Sequence, residues 1–74
     1  MALKVEIDNG AGPAGSQVPI YVGYAAAGAA TSVAAWRIIK ITYSAFDDPT
    51  AVLYADGTDA FDKVWDLRAT YVYS

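Results

Sequence analysis

The sequence predicts a mainly β fold: a small antiparallel β module with a β-hairpin, a short helical turn and a flexible, small-residue first half. Three observations lead there. The run Trp36-Arg37-Ile38-Ile39-Lys40-Ile41-Thr42-Tyr43 is dense in β formers. Near both ends, side chains alternate with the period of two expected of strands. Clusters of Gly, Pro and Asp separate these runs and supply turn chemistry.

The first strand is read from Leu3, Val5 and Ile7 alternating with Lys4, Glu6 and Asp8, which implies one buried apolar face and one wet charged face. Asn9–Ser16 holds three glycines and a proline in eight residues and is a loop. Residues 1–17 are thus expected to form an N-terminal arm and loop. Val18–Tyr24 is a second strand, with Pro19 near its start, where a missing N–H is tolerated. Ala25–Ala35 has seven alanines, but Gly28, Thr31, Ser32 and Val33 oppose a stable helix, so a loop with at most a helical turn is expected.

Trp36–Tyr43 follows as the strongest strand. Trp36, Ile38, Lys40 and Thr42 fall on one of its faces and Arg37, Ile39, Ile41 and Tyr43 on the other. Apolar groups on both faces imply a central strand or one covered by a partner. Ser44–Thr50 turns through Asp47, Asp48 and Pro49, and Ala51–Ala55 returns as a hairpin strand. Asp56-Gly57 marks another turn, Asp59 caps a short helical turn through Phe61, Val64 and Trp65, and a last strand runs from Leu67 to Tyr73.

Seventy-four residues allow one domain, spanning 1–74. A chain of this size buries only about 60% of its unfolded surface, so its core is marginal. The absence of Cys and His removes disulfide staples, Cys/His zinc sites and Ser-His or Cys-His catalytic pairs. Eight acids against five bases give a net charge of −3, which repels phosphate backbones, and Lys4, Arg37, Lys40, Lys63 and Arg68 form no basic run. Nucleic acid is therefore not an expected partner. The charge-free stretch Asn9–Trp36 holds five glycines and two prolines, which argues against a membrane-spanning helix. The opening residues lack a signal-peptide core, so synthesis in the cytoplasm is expected.

Asp56, Asp59, Asp62 and Asp66 are spaced closely enough to suggest calcium, but they lack the glycine and the closing glutamate of an EF-hand loop. They read as turn and capping carboxylates. The pairs Asp62/Asp66 and Asp47/Asp48 would need a deep groove to act on sugars, and this chain has little volume for one. No enzyme activity, metal or cofactor is expected.

Trp36, Ile38, Ile41, Phe61 and Trp65 are assigned to the structural core. Tyr21, Tyr24, Tyr71 and Tyr73, with Gly23 and the small residues of Ala25–Ala35, are assigned to protein contact, because tyrosine buries a ring while its hydroxyl meets a partner. Arg68 is placed to fork onto Asp66 or Asp62, and Arg37 to do the same from the hairpin.

The runs Ala34-Ala35-Trp36-Arg37-Ile38, Ile41-Thr42-Tyr43, Ala55-Asp56-Gly57 and Phe61-Asp62-Lys63-Val64-Trp65-Asp66-Leu67-Arg68-Ala69, closing on Tyr73-Ser74, form a pattern over Tyr21–Ser74. It resembles a group of short virion-associated structural proteins of tailed bacteriophages. The resemblance implies a structural part of a phage particle, in head or tail, and brings no catalytic or binding residues with it. Two readings stand. One is a multi-copy cement, decoration or adaptor protein of the virion, acting on capsid or tail proteins and on copies of itself. The alternative is a small carbohydrate- or receptor-binding module using the tyrosines and acids.

Overall fold

A computed structural model describes residues 3–74. Strands β1 (Leu3–Ala11), β2 (Gln17–Ala26), β3 (Ala34–Tyr43) and β4 (Pro49–Tyr54) form an antiparallel meander in the order β1-β2-β3-β4. A two-residue strand, β5 (Lys63–Val64), pairs with β3 and leads into a 3₁₀ helix, Trp65–Thr70. The fold is mainly β, as the sequence predicts, and β3 lies between β2 and β4.

Each connection has a local cause. Between β1 and β2, Gly15 adopts φ +92° and its N–H bonds Gly12 C=O at 2.9 Å. Between β3 and β4, the Ser44 hydroxyl accepts the N–H groups of Phe46 and Asp48, and Asp47 turns through φ 61°. After β4, Asp56 and Gly57 both take positive φ, the requirement of a type I′ turn, which Asp-Gly meets at low cost. The connection from β2 to β3 is a loop. Its carbonyls are tied down by the Lys4 ammonium on Ala29, the Trp36 indole N–H on Ala30 and the Asp66 N–H on Thr31.

One face of the sheet, the inner face, carries the core of Ala25, Trp36, Ile38 and Ala55, closed over by Trp65. The two indoles sit 5.9 Å apart and share one cluster. Gly23 permits this, because Trp65 lies directly over its backbone. Arg68 stacks on the Trp65 ring and bonds the Asp8 carboxylate at 2.9 Å, which fastens the 3₁₀ helix across β1.

Several expectations are corrected. Leu3–Ala11 is a strand, as its alternation predicts, but it is no free arm and runs on into the expected loop as far as Ala11, paired with β2 along its whole length. Its faces are also inverted. Leu3, Val5 and Ile7 point to solvent, while Lys4, Glu6 and Asp8 share the inner face with Gly23 and Ala25. The reason is that their charges have partners there, in Arg68 for Asp8 and in Ala29 C=O and the Trp36 ring for Lys4. Leu67–Tyr73 does not form a strand. Arg68 must turn inward to reach Asp8 and Trp65 C=O, which winds Trp65–Thr70 into a helix, and Tyr73 keeps one isolated bridge to Ala55. The helical turn expected from Asp59 lies later in the chain and has Val64 at its N-cap, with no side-chain cap. Of the assigned core, Trp36, Ile38 and Trp65 are buried. Ile41 is only half-buried because its position on β3 points away from the tryptophans, and Phe61 is 44% exposed because it lies on the segment preceding β5, against the Arg37 guanidinium.

Candidate interaction surface

The register across the meander defines the outer face. The row Ile7–Val22–Ile39–Tyr54 crosses all four strands without a charged side chain. Beside it lie Val5–Tyr24–Arg37 on one side and Ile41–Val52 on the other, and Leu3 pairs with Ala26 at the end of β1. Leu3 is 56%, Val5 48%, Ile7 56% and Val52 52% exposed. At the end of the sheet nearest the β2–β3 loop, Leu3, Ala26, Ala35 and Phe61 line an apolar groove of about 290 Å³.

Arg37 is the one charged residue at these positions. Its Nε donates to Asp59 C=O at 3.0 Å and its guanidinium stacks 4.6 Å from the Phe61 centroid, which holds the charge at the margin of the apolar surface. This replaces the fork onto a carboxylate expected from sequence. The other charges of the sheet lie on the inner face or in loops, where Asp47 accepts the N–H groups of Ala14 (2.9 Å) and Ser16 (3.2 Å) and binds two neighbouring hairpin turns together.

The residues expected to make protein contacts divide. Tyr24 lies on the outer face. Gly23 is buried beneath Trp65 and offers no surface to a partner, because a glycine is required there for the indole to approach. Tyr21, Tyr71 and Tyr73 are half-buried against the core. Tyr21 and Tyr73 pack ring on ring at 5.5 Å, the Tyr71 hydroxyl accepts the Val64 N–H at 2.8 Å, and the Tyr73 hydroxyl donates to Arg68 C=O at 2.7 Å. Burial, reinforced by Tyr21 and Tyr71, pushes the Tyr73 hydroxyl well above its ordinary pKa.

Among the described residues, no three acidic, His or Cys side chains are grouped so as to hold a metal ion. Asp62 is paired with the neighbouring ammonium of Lys63, and this hydrogen bond holds the lysine above its ordinary pKa against the opposing effect of burial. No described helix is long and apolar enough to cross a membrane.

Sequence reasoning missed Leu3, Val5, Ile7 and Val52 as exposed residues of this face, at whose centre Val22 is buried between its neighbours. The signal that could have found them was the second apolar face of β3, with Ile39 and Ile41, which required some cover. The chain matches no known protein family, no curated protein and no solved structure.

Proposed function

We propose that the chain is a structural protein of a tailed-phage particle, a multi-copy cement, decoration or adaptor component of the head or tail that acts through protein–protein contacts. The observation that carries this reading is the outer sheet face: a contiguous, almost uncharged apolar surface on four strands. Surfaces of this kind on small soluble domains mark contact sites. The Trp-Arg-Ile, Ala-Asp-Gly and Phe-Asp-x-Val-Trp-Asp-x-Arg-Ala pattern supplies the particle as the setting. The protein would be made in the host cytoplasm and reside in the virion, where the reading needs neither catalysis nor a cofactor.

The test is the copy number of the chain in purified particles, measured by quantitative mass spectrometry against the major structural proteins. The expected result is many copies at symmetric positions. Absence from the particle, or glycan-dependent binding by the isolated chain, would overturn it in favour of a carbohydrate- or receptor-binding module.

A further inference from the structure

We infer that the occupant of the outer face is a second copy of this chain, seated face to face so that two four-stranded sheets form a sandwich. The inference rests on reading that face as the working surface, and it names the partner.

The first argument is area. Four strands about 4.8 Å apart, with an apolar band six or seven residues long at about 3.3 Å per residue, give a face of roughly 400 Å² per copy. Two such faces bury on the order of 800 Å², the size of a weak, reversible interface. The second argument is charge. Each copy carries a net charge of −3, yet none of its eight acids is at the outward positions of the sheet: Glu6 and Asp8 face inward, and the others lie in loops and in the 3₁₀ helix. Two copies therefore approach by this face without bringing carboxylates together. Arg37 keeps its charge and four further N–H donors beyond the bond to Asp59 C=O, so in the sandwich it sits at the rim, beside the Asp59–Phe61 segment, where water reaches the guanidinium.

The third argument concerns the competing mode, pairing of sheet edges. β1 carries inward-facing acidic and basic side chains at Lys4, Glu6 and Asp8, and its pairing with β2 shifts register between Asp8 and Asn9. The other edge, β4, begins at Pro49. Inward charges, irregular register and an edge proline all discourage strand addition. The face has no such guard. Aliphatic rows such as Ile7–Val22–Ile39 are the material of sandwich cores, which stack at about 10 Å.

The experiment is sedimentation equilibrium of the full chain from about 1 to 500 μM, with Val5→Lys and Val52→Lys as separate variants. Both positions are about half exposed, so the monomer keeps its fold, as circular dichroism will verify. The expected result is a dimer with a dissociation constant on the order of 10 μM, as a small interface implies. Each lysine should weaken it at least about tenfold. A monomer throughout the range overturns the inference, as does self-association that both lysines leave intact. Either failure is separable from failure of the proposed function, since copy number in the particle is measured independently of self-association in solution.

Discussion

Trp65 lies over Gly23 so closely that a Cβ on the glycine would stand 2.5 Å from Cε3 of Trp65 and 3.0 Å from Cε3 of Trp36. Backbone and indole are in direct contact, and the 3₁₀ helix is positioned by that contact. Gly23→Ala forces Trp65 outward and should cost about 1–3 kcal/mol by overpacking. In a domain of this size each kcal/mol lowers the melting temperature by about 4–8 °C. A thermal melt checks this, and an unchanged midpoint would mean that the indole moves aside freely.

The two faces of β3 should respond differently to truncation. Trp36 is fully buried, so Trp36→Ala is expected to cost about 3–5 kcal/mol, much of the stability available to a small domain. Ile41→Ala, on the outer face, should cost about 1 kcal/mol in the dilute monomer, because a half-exposed side chain has less burial to lose. Urea unfolding of both variants at low concentration compares them. Equal costs would return Ile41 to the core.

Stability should fall on the alkaline side. The pKa values of Tyr73 and Lys63 are both raised in the folded state, from ordinary values of 10.0 and 10.5. Folding therefore favours the protonated form of each group. Their contribution is complete below pH about 10 and is lost as pH rises through the elevated folded values. The melting temperature is expected to be level from pH 7 to about 9 and to drop above 10. Tyr73→Phe should reduce the steepness of that drop while lowering stability by about 1 kcal/mol through the lost bond to Arg68 C=O.

Asp47→Ala removes the acceptor shared by Ala14 and Ser16 and leaves an alanine at φ 61°. Asp47→Gly removes the same acceptor but suits that backbone angle. Hydrogen exchange at Ala14 and Ser16 should accelerate in both variants, and the alanine variant should be less stable by about 1 kcal/mol. Unchanged exchange at those two amides would show that Asp47 does not hold the β1–β2 turn.

What was legible in the sequence was whatever depends on neighbours in the chain. The β formers of Trp36–Tyr43 make β3, and Asp56-Gly57 makes the turn its composition demands. The alternation in β1 gave its period of two but not which phase faces inward. That is decided by Arg68, sixty residues away, and by the Trp36 ring beneath Lys4. The same distant bond draws the first part of an alternating stretch, Leu67 to Thr70, into a helix. Of the tyrosines assigned to contact from residue type, Tyr24 lies on the outer face, whereas Tyr21, Tyr71 and Tyr73 are fastened within the molecule. Tyrosine chemistry is the same in both settings, and only the register separates them.

The covering of the inner face by Trp65 and Arg68 also places an order on folding. The meander is complete at Tyr54, and the side chains that shield Trp36 and Ile38 come from the later segment that begins at Trp65. A chain that has closed its hairpins before that segment docks presents a bare tryptophan surface on one side of the sheet and the aliphatic rows on the other. That is the stage at which it is most open to association with another chain.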